Sequence, residues 1–113
     1  MPQAQSLSPV FPVADLEVAV AFWSGVLGIE PTFVDGDRWA QFDLDGKRLS
    51  LAGSDRVSDL PGLMVKVEDL EAERERLLAD GVQLGPIEEG PHERRATGTG
   101  PDGWPVVLYA PKH

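Results

Sequence analysis

An approximate internal repeat is the feature that most constrains this chain, because it divides 113 residues into two copies of one folding unit. Val13-Ala14-Asp15-Leu16-Glu17 returns 54 positions later as Val67-Glu68-Asp69-Leu70-Glu71. Further along each half, Asp45-Gly46-Lys47-Arg48-Leu49-Ser50-Leu51 is echoed 57 positions on by Asp102-Gly103-Trp104-Pro105-Val106-Val107-Leu108. Two echoes in the same order describe a duplicated module, one over about residues 7–53 and one over about 62–110, within one domain spanning 1–113. Gly53 to Pro61 connects them.

Both copies predict the same succession of elements. A short apolar strand leads to Asp15 or Asp69, each placed to cap a helix by accepting from its first free amides. Leu16, Ala19, Val20, Trp23 and Leu27 then recur at helical spacing, up to a stop at Gly28. Leu70, Leu77 and Leu78 form a thinner stripe that ends before Gly81, with Glu71/Arg74 and Glu73/Arg76 expected as i, i+3 pairs on the wet face. Two or three strands follow in each half. Residues 38–44 alternate as a half-buried strand, Val34 to Asp37 reads as a turn, and the Asp-Gly pairs suit tight hairpins.

Composition narrows the function classes. A chain of this length removes roughly 65% of its unfolded surface from water, enough for a core without staples. Cysteine is absent, which excludes disulfides, thiolate-held metals and a cysteine nucleophile, and fits a cytoplasmic protein. No apolar run approaches a membrane span, and Met1 to Ser8 lacks the basic start of a secretion signal. A formal charge of −9 disfavours nucleic acid and suits a neutral or cationic small ligand. No nucleophile elbow or phosphate-binding glycine loop is present.

The paired modules, the helix run Ala21-Phe22-Trp23-Ser24-Gly25-Val26-Leu27-Gly28 and the turn Gly100-Pro101-Asp102-Gly103 resemble the vicinal oxygen chelate superfamily, which holds glyoxalases, dioxygenases and bleomycin resistance proteins. The resemblance runs from Leu7 to Tyr109. It implies an α+β fold of two tandem βαβββ modules, forming concave sheets with helices on the convex face. Metal-using members draw one ligand from the first and one from the last strand of each module. Counted from the anchors, those positions are Ser8 and Ser50 in the first module and Gly62 and Val107 in the second. None is His, Glu or Asp, so no metal and no other cofactor is expected. His113 is terminal and expected to fray, and His92 lies in a loop.

Alternation places Phe11, Val13, Ala40, Phe42, Leu49, Leu51, Val65, Val67, Val106 and Leu108 against the helices. It turns Trp39, Gln41, Asp43, Arg48, Ser50, Met64, Lys66, Val107 and Tyr109 into the hollow. The post-helix segment Phe33 to Trp39 and the loop Pro91 to Arg95 resemble the drug-contacting segments of bleomycin resistance proteins, with His92 at a stacking position. The ligand residues so expected are Phe33, Trp39, Gln41, Asp43, Ser50, Met64, His92, Val107 and Tyr109. Trp39 reads either as pocket wall or as interface packing, and Phe33 either as pocket or as a plug behind the helix. Arg94 and Arg95 read either as contacts to a ligand anion or as rim ion pairs.

The function expected is a metal-free homodimeric protein that sequesters an aromatic or cationic compound such as an antibiotic. The alternative is a cofactor-free isomerase, cyclase or other lyase-type enzyme. It would use Asp43, Tyr109 or His92, with Asp43 as a base disfavoured in its charged form by an apolar hollow.

Overall fold

The structure is a computed structural model that describes residues 4–112, so the expectations for Met1 to Gln3 and for a frayed His113 lie outside the described residues. The chain divides into two units, Ser8–Pro61 and the segment from Gly62 onward joined by the stretch ahead of Ser8.

The first module contains β1 (Ser6–Pro12), α1 (Leu16–Leu27), β2 (Phe33–Asp35), β3 (Trp39–Leu44) and β4 (Lys47–Ala52). Its strands lie in the order β2-β3-β4-β1. The β1–β4 pair is parallel and the others are antiparallel. The second module repeats this plan with β5 (Gly62–Lys66), α2 (Leu70–Ala79), β6 (Glu88–Glu89), β7 (Glu93–Thr99) and β8 (Pro105–Pro111), ordered β5-β8-β7-β6. Its β5–β8 pair is the parallel one. The repeat is carried to the residue, because Val10 opposite Ser50 in the first module becomes Met64 opposite Val107 in the second when the offsets of 54 and 57 are applied.

Local chemistry sets the element ends as the sequence predicts. Asp15 accepts from the Val18 amide at 3.2 Å and Asp69 from the Ala72 amide at 3.1 Å. Gly28 closes α1 in the left-handed conformation at φ 72°. Leu16, Ala40, Phe42 and Leu51 form the buried centre of the first module, with Phe11, Val13, Trp23 and Leu49 packed on it. Trp23 stacks on Phe11 at a centroid distance of 6.0 Å. Val67, Leu70, Ala96, Leu108 and Ala110 form the second core, and Val65 packs on it.

The turn expected at Val34 to Asp37 and the wet-face pairs expected on α2 are corrected. Val34 and Asp35 belong to β2, so the turn is Gly36 to Arg38, placed by pairing with β3. Glu88 and Glu89 form β6 opposite Arg95 and Arg94. Glu73 is buried rather than wet, although it does pair with Arg76 at 2.8 Å; Glu71 instead accepts from Arg94, and Arg74 donates to the Gly85 carbonyl. No helix among the described residues is long and apolar enough to cross a membrane.

Candidate functional site

Each module has a sheet face turned away from its helix, and register decides which residues it carries. In the first module Ala40, Phe42, Leu51 and Phe11 pack with α1, so their strand neighbours project to the far face. There Phe33 lies opposite Gln41, Gln41 opposite Ser50, and Ser50 opposite Val10, which makes one transverse row. Asp35, Trp39, Ala52 and Pro12 make the next row, and Asp43 pairs with Arg48 beyond the first. The first module therefore brings Phe33, Trp39, Gln41, Asp43 and Ser50 onto one face.

The polar groups on this face hold one another. The Trp39 indole Nε1 donates to Gln41 Oε1 at 3.3 Å, which fixes both side chains. Arg48 Nε donates to Asp43 Oδ1 at 2.8 Å, and the Thr32 hydroxyl donates to Asp43 Oδ2 at 2.6 Å. The Arg48 hydrogen bond holds the Asp43 carboxyl below its ordinary value; partial desolvation opposes this, and the Thr32 bond and the Arg48 charge reinforce it. This overturns the expectation of an Asp43 base disfavoured in its charged form: Asp43 is an ion-paired carboxylate, a weak proton acceptor. Thr32 was not singled out from the sequence, because only the β2–β3 register carries it to Asp43.

In the second module Val65, Leu108 and Ala96 pack toward α2, so Met64, Lys66, Val107, Tyr109, Arg95 and Thr97 occupy the far face. Met64, Val107 and Thr97 form one row; Lys66, Tyr109, Arg95 and Glu88 form the next. Arg94 projects to the other side, where it donates to Glu71 and Glu89, so the two adjacent arginines point to opposite faces of the sheet.

Accessibility separates the nine candidates. Ser50, Met64 and Val107 are buried and form floor, while Gln41, Trp39, Asp43 and Tyr109 are half-buried and Phe33 is exposed. His92 stands exposed in the bend ahead of β7, where its carbonyl accepts from the Lys112 amide. Two clefts open at the helix starts, one of ≈ 660 Å³ beside Asp15, Glu17 and Arg56 and one of ≈ 820 Å³ beside Glu68, Glu71 and Arg94. Neither contains any of the nine.

The family positions for a metal do not fit one. Ser8 and Ser50 offer only buried hydroxyls, and Val107 offers nothing. At Gly62 a Cβ would stand 2.4 Å from the Pro105 carbonyl oxygen, so no ligating side chain fits there without displacing β8. Among the described residues no group of three or more His, Cys, Asp or Glu is placed to hold a metal ion.

With strand order, register and these positions in place, comparison with known proteins is decisive for the family. The model of the glyoxalase/bleomycin resistance protein/dioxygenase superfamily matches residues 6–108. The chain belongs to this superfamily. No curated protein sequence matches it. Among solved structures it is similar to one described as an NAD-dependent benzaldehyde dehydrogenase from Legionella pneumophila, with TM-score 0.85, 16% identity, and 95% of this chain and 100% of that chain covered. It is also similar to a superfamily member from Vibrio splendidus 12B01, with TM-score 0.68, 21% identity, and coverage of 97% and 99%. Methylmalonyl-CoA epimerase from Mycobacterium tuberculosis matches with TM-score 0.69, 21% identity, and coverage of 97% and 90%. At these identities the likenesses establish the glyoxalase/bleomycin-resistance fold of the superfamily member and leave the ligand to the site itself.

Proposed function

We propose that this superfamily member is a metal-independent small-molecule binding protein that sequesters a compact aromatic compound, such as an antibiotic, as a cytoplasmic homodimer. The observation that carries this reading is the far face of the first module. Phe33 and Trp39 offer accessible ring surface on adjacent strands, and the Trp39–Gln41 hydrogen bond holds the indole in place before any ligand arrives. A preorganised aromatic wall binds flat rings at little entropic cost. Of the two ligand classes expected from the sequence, aromatic and cationic, the first is favoured, because the Asp43 carboxylate already has Arg48 as its counter-charge. The same ion pair argues against Asp43 as the general base of the enzyme alternative.

A thermal-shift screen of aromatic and cationic antibiotics, run with and without EDTA, tests the reading. A ligand at 100 times its Kd stabilises the fold by about 2.7 kcal/mol, several degrees for a chain of this size. A saturable shift that survives EDTA, with a Kd that rises in Trp39→Ala, is the expected result. No shift across the panel, or a shift that EDTA abolishes, would sink it. Light scattering on the eluting protein checks the dimer.

A further inference from the structure

The outer side of α1 is unlike a surface built to face water. Val18, Ala21, Phe22, Gly25 and Val26 share it at helical spacing, all five are exposed, and none carries a charge. The duplicated module supplies an internal control. Fifty-four positions on, Glu75, Arg76 and Asp80 stand where α1 has Ala21, Phe22 and Val26, so the module plan itself asks for no apolar side chains there. Gly25 adds an independent observation. Glycine inside a helix is destabilising relative to alanine, yet a Cβ at Gly25 would meet nothing within 4 Å. Packing within the chain gives no reason for a glycine there, whereas a second helix approaching closely from outside does. Phe22 beside it is held edge-on against Trp23, with ring centroids 5.2 Å apart.

Charge selects the occupant. On a chain of formal charge −9, a cationic partner would be drawn to acidic surface elsewhere, and this uncharged face offers it nothing. A lipid surface is disfavoured too, because α1 has no Lys or Arg to hold anionic headgroups. A second copy brings the same uncharged face, and that face is complementary to itself. About a twofold axis between Ala21 and Phe22, antiparallel helices set Val18 opposite Gly25 and Phe22 opposite Ala21, large on small at each step. Glu17, the one charge on α1, then lies about 14 Å along the helix from its own copy, beyond the roughly 8 Å over which salt leaves charges unscreened. We infer that the outer face of α1 is the surface on which two copies of this chain associate, as an antiparallel helix pair centred on Ala21 and Phe22. This rests on the homodimeric reading above and specifies the face that holds the copies together.

A helix about 18 Å long falls short of the roughly 800 Å² per partner of a standard interface, so the dimer Kd belongs in the micromolar range. Sedimentation velocity across that range should show a monomer–dimer equilibrium. Phe22→Arg, which supplies the residue α2 has at this place, should raise the dimer Kd about a hundredfold while leaving the thermal midpoint of dilute protein near that of the parent. Gly25→Ala should move the two readouts in opposite directions, raising the midpoint of the dilute monomer and weakening the dimer. Because the chain has no cysteine, Ala21→Cys carries a single thiol, and it should cross-link between copies under mild oxidation. Glu75→Cys, at the matching place on α2, should not. Parent protein that stays monomeric would overturn both this face and the homodimeric reading, leaving the face to a different partner. A dimer that Phe22→Arg leaves intact, or equal cross-linking of the two cysteine variants, would overturn the face alone and move the homodimer to another surface.

Discussion

Ala19 and Glu73 occupy the same place in the two modules, 54 residues apart, each on the inner side of its helix. Around Ala19, α1 is apolar on nearly every side, with Glu17 its one charged residue, and even its outer Val18, Phe22 and Val26 are at least 60% exposed. Around Glu73, α2 carries five charged residues in ten, and its links to the rest of the module include Arg94 reaching Glu71 and Arg74 reaching the Gly85 carbonyl. The same backbone plan is thus held by packing in one module and partly by directed polar contacts in the other. Apolar packing tolerates approximate geometry, whereas a buried carboxylate demands a partner for each oxygen. Glu73 has Arg76 on Oε1 and none among the described residues on Oε2.

That contrast can be broken from either side. Phe42→Ala, at the centre of the first module, should cost about 3–5 kcal/mol in urea denaturation, since a fully buried ring leaves a cavity. Ala19→Glu would bring the second module's residue into the first; lacking an arginine three positions on, it should cost about 2 kcal/mol by the same measurement. The reverse exchange, Glu73→Met, should raise stability by about 1 kcal/mol, because it removes a buried carboxylate with an unsatisfied oxygen while Arg76, part-exposed, keeps Asp80 as a partner. A loss of stability there would mean that Arg76 depends on Glu73 more than the geometry implies.

The smallest effect concerns the far faces. Asp43→Asn removes a part-exposed ion pair and should cost about 0.2–1 kcal/mol at neutral pH. The folded-state value of Asp43 is lowered, so its contribution is fully present above the unfolded carboxyl value of 3.8 and is lost as pH falls through the lower folded one. Denaturation of both proteins should therefore differ by a constant amount from pH 7 to pH 5 and converge only in stronger acid. A gap that closes already near pH 6 would contradict the Arg48 assignment.

Fold was legible in this chain because it is written twice. The Asp15 and Asp69 caps, the Gly28 stop and the strand alternation of 38–44 each announce an element locally, and the two offsets reappear as register. The short edge strands were harder to see. Phe33–Asp35 and Glu88–Glu89 have no periodicity of their own and exist through pairing with β3 and β7. Side-chain partners were harder still: Glu71 finds Arg94 rather than Arg74, and Thr32 finds Asp43, across separations that no helical or strand spacing encodes. Alternation did place Lys66 and Tyr109 on one face, and only pairing with β7 brought Arg95 beside them.

Each module closes its sheet by pairing its first strand with its last, Val10 with Ser50 and Met64 with Val107, in parallel and some forty residues apart. Neither sheet is finished until its final strand is present, so folding within a module waits on a long loop closure rather than on nearest neighbours. On the ribosome this order has a direct consequence. The first sheet has all its strands once Ala52 has emerged, while β5 stays without its partner in the second until Pro111 has followed.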